Sequence, residues 1–400
     1  MRFDFVFWFY SSVLGFLVGV IAAAFLLLTD FFIRLIWTEI PAILDFPAYP
    51  LIIGLIGGIC VGLIQKYLGD YPPTLHDTLK EFKETGAVNY KRQIGKTFFA
   101  AVVVLSFGAS IGPEAALAGI LGGLISWLGD QLKLTIKKKS ELLELGLGAM
   151  LATIFYAPFA GIGMEFEEHR ESLRFKSRWI KIFLYGTTAL WGIAGFNGLN
   201  HFFPREVVFA LHFPEITWDS KALWLVLPAV AVGIFFGLLF LFLERAAGKI
   251  AKKISRPILL GIIGGLFIGG FSLLSPYFLF SGEHQLIGFS EIALDQSVNE
   301  LLLLGIGKAL LTVICFSFGW KGGTIFPAIF SNTAIGFALA NTFPFMPGLI
   351  VGLVVAASVT IILDQPYVTA AILLFLFPVP FFPAILMSCI AAKKLKSRIL

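Results

Sequence analysis

The sequence predicts an all-α integral membrane domain with no soluble domain attached, built from two repeats of tilted and broken helices. Three observations carry that prediction. Of the 400 residues, 58% are hydrophobic and only 14% charged, more apolar surface than a water-soluble fold can hide. No charged residue occurs between Phe5 and Thr29, a run longer than the roughly 20 residues that cross a bilayer as a helix. The two halves of the chain also share a pattern of glycine-rich breaks inside apolar stretches.

The first apolar run is a membrane span rather than a signal peptide. It is too long for an h-region, has no small-residue cleavage pattern behind it and is followed by many more apolar segments, so it is expected to be retained. Those segments lie at about 50–68, 94–108, 113–130, 141–168, 178–200, 222–243, 257–280, 300–319 and 323–392. Several are long enough to hold two helices or a broken one. Cys60, Cys315 and Cys389 are isolated in apolar surroundings with no pairing or metal spacing, and read as small core residues.

The formal charge of +5 informs through its placement. Lys and Arg cluster at 133–139, 170–181, 245–256 and 393–398, with four, five, five and four residues, 18 of the 30 in the chain. The segment from His201 to Lys221 holds only Arg205 and Lys221 against Glu206, Glu215 and Asp219. The positive-inside bias puts the three basic loops and the C-terminal cluster in the cytoplasm of a multi-pass cell-membrane protein. Nucleic-acid binding is the competing reading of basic clusters, but each one flanks a hydrophobic segment, where topology is the commoner cause.

The longest polar segment, Gly69 to Arg92, is too short for a soluble domain. Tyr71-Pro72-Pro73 reads as a turn, and His76 to Thr85 as a short amphipathic helix. An internal repeat is more informative. Ile94-Gly95-Lys96 precedes Ser106-Phe107-Gly108 and Gly112-Pro113-Glu114-Ala115-Ala116-Leu117. Ile306-Gly307-Lys308 precedes Ser317-Phe318-Gly319 and Gly322-Gly323-Thr324-Ile325-Phe326-Pro327. The spacing from lysine to glycine is 12 residues in one and 11 in the other. Tyr156-Ala157-Pro158-Phe159-Ala160-Gly161 corresponds in turn to Gln365-Pro366-Tyr367-Val368-Thr369-Ala370. The repeats are expected over about 45–200 and 220–392.

A break inside an apolar stretch is costly in lipid, because backbone groups freed from a helix have no water to bond. Such breaks persist where they line a polar cavity, and paired breaks at equivalent positions mark a transporter's midplane site. Helix N-termini aimed at that site offer unpaired N–H groups and a positive dipole end, which suits an anion. Close helix packing is the alternative role for the glycines. Two repeated breaks, one with an embedded carboxylate, favour the ion site.

These residues resemble the CLC family of chloride channels and proton/chloride antiporters over roughly 50–392. Ser106-Phe107-Gly108-Ala109-Ser110-Ile111-Gly112-Pro113-Glu114-Ala115-Ala116 is similar to the family's gating-glutamate motif, and Gly322 to Pro327 to its second anion loop, Gly-Gly-x-Phe-x-Pro. Ala157-Pro158-Phe159-Ala160-Gly161 with Glu167-Glu168 is similar to the segment that carries the antiporters' inner proton glutamate. The resemblance implies an inverted repeat, a homodimer with one pathway per subunit, Glu114 as gate and Glu114, Glu167 and Glu168 as the proton relay. It implies an anion site on Gly112, Pro113, Glu114, Ala115, Gly322, Gly323, Thr324 and Ile325, with Asp70 at a third loop.

Physically, a carboxylate at a helix N-terminus is a tethered imitation of the transported anion. Ionised, Glu114 competes with chloride for the same N–H donors; protonated, it loses that attraction, so proton binding and site occupancy are linked. The alternative is a structural glutamate paired with Lys96 or Lys321, although an ionisable group in the membrane interior is functional by default. Glu168 borders the basic loop beginning at Arg170, as an inner proton port would. Glu165, Glu167 and Glu168 equally suit a solvated helix end pairing charges with Arg170, and both readings stay open.

The chain departs from the family pattern at three places. Gly69-Asp70-Tyr71-Pro72-Pro73 stands where the family has Gly-Ser-Gly-Ile-Pro, and an ionised aspartate cannot donate to chloride. After Ala392 and the Lys393-Lys394-Leu395-Lys396 run, neither a further helix supplying the family's central tyrosine nor a regulatory domain is expected. Ile325 replaces the usual Phe, where backbone N–H groups do the work.

The chain is therefore expected to move chloride or a similar small anion through a lipid bilayer, with proton exchange favoured over passive conduction. Asp70 and Lys321 motivate fluoride or another anion as the alternative. An intramembrane enzyme is disfavoured: His76, His169, His201, His212 and His284 lie in loops or far apart without metal-ligand spacing. No cofactor, metal or nucleic acid is called for.

Overall fold

Asp4 opens the first helix by accepting from the amides of Val6 and Phe7 at 3.1 and 3.3 Å, an N-cap that satisfies two of the donors a helix start leaves over. The computed structural model describes residues 4–69, 90–132, 136–168, 175–202, 211 and 219–399. Asp70, Tyr71-Pro72-Pro73, the helix expected over His76 to Thr85, His169, Arg170, Arg205, Glu206, His212 and Glu215 lie outside the described residues, as does the side chain of Glu168.

The first helix, α1 (Phe5–Arg34), continues through a π-helical stretch at Leu35–Glu39 to a last turn at Ile40–Leu44. The first half goes on with α2 (Tyr49–Tyr67), α3 (Tyr90–Ser106), α4 (Glu114–Gln131), α5 (Ile136–Ile154), α6 (Ala160–Glu168) and α7 (Phe175–Phe202). The second half holds α8 (Lys221–Ile254), α9 (Pro257–Leu274), α10 (Leu286–Ile292), α11 (Val298–Ser317), α12 (Ile325–Thr342), α13 (Pro347–Leu363), α14 (Pro366–Leu376) and α15 (Phe382–Ile399). Proline opens the first turn of α2, α9, α13 and α14, where its missing N–H costs nothing. Ser297 and Glu300 form a reciprocal capping box at the start of α11.

Six of the described helical stretches are long and apolar enough to cross a membrane. Helix α12 and the shorter α13 are buried along nearly their whole length, as helices apolar on every side are in a membrane core. Helix α8 instead turns Trp224, 85% exposed, and Leu227, 78% exposed, outward, the surface that lipid would cover. The basic clusters expected in loops at 133–139, 170–181 and 245–256 run onto helices: α5 includes 136–139, α7 includes 175–181 and α8 runs to Ile254. Lys and Arg are good helix formers whose long stems reach an interface from a helix end. The same holds at the C-terminus, where α15 continues past Ala392 to Ile399.

The halves meet at α2 and α9. A methyl group on Gly54 would strike the carbonyl of Gly265, and one on Gly265 the carbonyl of Gly54; Gly58 and Gly261 exclude each other's methyl in the same reciprocal way. Only glycine lets the two backbones approach so closely. The pattern Gly54, Gly57, Gly58, Gly62 recurs as Gly261, Gly264, Gly265, Gly269, a register that the motif comparison above does not contain.

Candidate functional site

Helix α3 ends at Ser106 and α4 starts at Glu114; α11 ends at Ser317 and α12 starts at Ile325. In both breaks a glycine takes the left-handed conformation that turns the chain, Gly108 at φ 85° and Gly319 at φ 94°. The breaks then run side by side. Gly112 donates to the carbonyl of Gly323 at 2.7 Å, and Gly323 returns a bond to Gly112 at 2.8 Å. One antiparallel bridge thus brings together the N-termini of α4 and α12, and with them two positive dipole ends.

The Glu114 side chain lies in this junction, with the residue only 1% exposed. Its Oε1 accepts from the backbone N–H of Phe326 at 3.2 Å, and its Oε2 has no hydrogen-bond partner among the described residues. The amides of Glu114 itself and Ile325 also bear on the carboxylate. A methyl on Gly112 or Gly323 would overlap the carboxyl group, so both glycines leave room for it. Neither Lys96 nor Lys321 supplies its bond; Lys321 instead lies 4.9 Å from the centre of the Phe316 ring. The carboxylate is held by a helix N-terminus, as an anion would be.

Of the expected anion-site residues, the structure bridges Gly112 to Gly323 and sets Glu114 against Gly323 and the Ile325 amide. It also narrows the set of donors. The amides of Gly112 and Gly323 are engaged with each other, and Pro113 has no N–H to offer. The N–H groups that bear on the carboxylate belong to Glu114, Ile325 and Phe326. Gly322 packs against Ile111, and Asp70 lies outside the described residues.

Sequence reasoning missed several contributors. Phe326 supplies the bond to Glu114, and its ring stacks on Phe155 with centroids 4.2 Å apart, which joins the break between α5 and α6 to the other two. Lys308 is wholly buried and donates to the carbonyls of Tyr277, Phe278, Leu279 and Phe280 at 2.9, 3.1, 2.9 and 2.6 Å. Phe280 in turn donates to the carbonyl of Gly108 at 3.2 Å. The hydroxyls of Ser110 and Thr312 pair at 2.9 Å, the Trp37 indole donates to the carbonyl of Ser106 at 3.0 Å, and Gln65 donates to that of Gly319 at 2.7 Å. Each break is therefore clamped from outside its own helices. The signal for Lys308 was present in its match to Lys96 in the repeat.

On α6, Glu167 accepts from the N–H of Tyr367 at 2.6 Å and so caps the start of α14. Glu165 pairs with Lys181 at 3.2 Å in the interior, which sets it apart from a solvated helix end. Beside the second break, Gln65, Glu244, Lys252 and Lys321 line a cavity of about 480 Å³. Among the described residues no group of three His, Cys, Asp or Glu could hold a metal ion.

Residues 80–397 match the family model described as "Voltage gated chloride channel". A relative named "Chloride/fluoride channel protein", from Pseudomonas syringae pv. tomato (strain ATCC BAA-871 / DC3000), is 25% identical over 396 residues, 96% of this chain and 82% of that protein. The crystal structure of a slow cyanobacterial Cl−/H+ antiporter superposes with a TM-score of 0.78 at 20% identity, covering 97% of this chain and 93% of the other. That of a CLC-type fluoride/proton antiporter does so with a TM-score of 0.73, again at 20% identity, covering 97% and 95%.

Proposed function

This chain belongs to the voltage gated chloride channel family, and on that premise we propose that it moves small inorganic anions across a bilayer, chloride first among them, in exchange for protons. The observation that carries the reading is the buried Glu114 carboxylate, held by the Phe326 amide at the joined N-termini of α4 and α12. The amides of Thr324, Ile325 and Phe326, with those of Glu114 and Ala115, replace the hydration shell of the anion. Glu114 fills this site when ionised and leaves it when protonated, so it gates the path and carries the exchanged proton. Glu167 and Glu168, at the far end of α6, pass protons to and from the cytoplasm.

The first repeat over about 45–200 and the second over 220–392 belong to the same proposal, supported by the reciprocal glycine contacts of α2 and α9. So do a homodimer with one pathway per subunit and a cytoplasmic position for the basic helix ends. Fluoride is the second reading, favoured by the name of the Pseudomonas relative, a chloride/fluoride channel protein.

The test is flux from liposomes holding the purified protein, with anion and pH electrodes read together and the internal salt either chloride or fluoride. Anion efflux with proton movement in the opposite direction supports exchange. Anion efflux with no proton movement leaves a passive channel and contradicts it.

A further inference from the structure

Two residues before Glu167, Glu165 points to a different neighbour. Its side chain is 0% exposed, and its Oε2 lies 3.2 Å from the Nζ of Lys181 on α7, whose side chain is 15% exposed. Lys181 also lines a small cavity of about 20 Å³ with Glu141 and Glu144 of α5 and Tyr185 of α7, space for about one water. Tyr185 in turn packs on Gly148 and Gly161, where α5 and α6 touch. Glu167 faces the other way and is engaged at the start of α14 by Tyr367. A line of ionisable groups therefore leads from the half-buried Glu141 and Glu144 through Lys181 to Glu165.

A buried ion pair is a weak source of stability, since desolvation costs several kcal/mol per ion and apolar replacements of similar volume are often as stable. Ionisable groups inside a membrane domain mark ion and proton pathways. Transfer of a proton from the Lys181 ammonium to the Glu165 carboxylate leaves a neutral amine and a neutral acid, so the interior carries no added net charge. The amine then takes a proton from solvent hydronium on the side of Glu141 and Glu144, which leaves water there, and Glu165 is free to release its own proton inward.

We propose that Glu165 is a proton-carrying group of this protein, loaded through Lys181. The proposal rests on the exchange reading above.

The experiment reconstitutes wild type, Glu165→Gln, Glu165→Asp and the double variant Glu165→Gln/Lys181→Met in chloride-loaded liposomes, and reads proton and chloride movement together. The double variant removes both charges at nearly constant volume, so no charge is left buried alone. The expected result is that chloride efflux continues in all four. Proton movement falls at least about tenfold in both Gln variants, a barrier of ~1.4 kcal/mol or more, and survives in part with Asp, which still titrates. A purely structural pair predicts the same proton-to-chloride ratio in the double variant as in wild type, and that outcome overturns the proposal while leaving exchange intact. Wild-type chloride efflux without proton movement overturns both.

Discussion

Gly112 and Gly323 each donate a backbone hydrogen bond to the other, at 2.7 and 2.8 Å, across a sequence separation of half the chain. Two turns that would each leave polar backbone exposed to lipid thus satisfy one another. The pairing also fixes where Glu114 stands relative to Phe326, because each follows its glycine by two or three residues.

Gly323→Ala tests the room left for the gate. The added methyl would overlap the Glu114 carboxyl, the far end of a flexible side chain, so the fold accommodates it and Glu114 moves. A displacement costing about 1 kcal/mol shifts gate occupancy roughly fivefold. Liposome flux should therefore be faster at neutral pH and depend less on pH than in wild type, with an unchanged elution profile of the purified protein.

Lys308→Met removes a buried ammonium from four carbonyls, the last of which belongs to the residue that bonds Gly108. Unsatisfied buried acceptors cost about 1–3 kcal/mol each when nothing replaces the donor, so a loss of about 3 kcal/mol is expected. Thermal unfolding in detergent should show a clearly lower midpoint for Met and a smaller drop for Arg, which keeps the donors. An unchanged midpoint for Met would contradict the clamp.

Gly265→Val should separate α2 from α9, since even one methyl there meets the Gly54 carbonyl. Overpacking of this kind costs about 1–3 kcal/mol. The matching substitution Gly54→Val should cost about the same, because the contact is reciprocal, and the two midpoints are the measurement.

Asp364 ends α13 and pairs with Lys393 at 2.5 Å and Lys396 at 3.0 Å on α15. Burial pushes its carboxyl up, but hydrogen bonds from the two lysines outweigh that and hold it below the usual carboxylate range. A depressed folded value means that its stabilisation is present above the unfolded value and lost as pH falls through the folded one. Since the Asp364 side chain is 52% exposed, the contribution is below about 1 kcal/mol. Asp364→Asn should lower the unfolding midpoint slightly at neutral pH and leave it equal to wild type in strong acid.

Much of the fold was legible in the sequence because its signals are local. Long uncharged runs, glycines at matched intervals and a carboxylate after Gly112-Pro113 can be read without knowing what they touch. Phe326 could not be read in that way, because its role is carried by a backbone amide and any residue there would look alike. Lys308 was visible only as half of a repeat; its four acceptors come from a segment some 30 residues earlier. Glu165 suited a solvated helix end until the approach of Lys181 from α7 placed it in the interior. The helix-end positions of the basic clusters were hidden for a related reason, since charge marks the membrane boundary and not the end of a helix.

The most direct test of the account is Glu114→Ala in liposomes, with chloride and pH electrodes read together against wild type. With Glu114 as the gate, proton movement disappears while chloride efflux continues at the wild-type rate or faster. Chloride and proton movement both continuing unchanged would mean that Glu114 is not the gate.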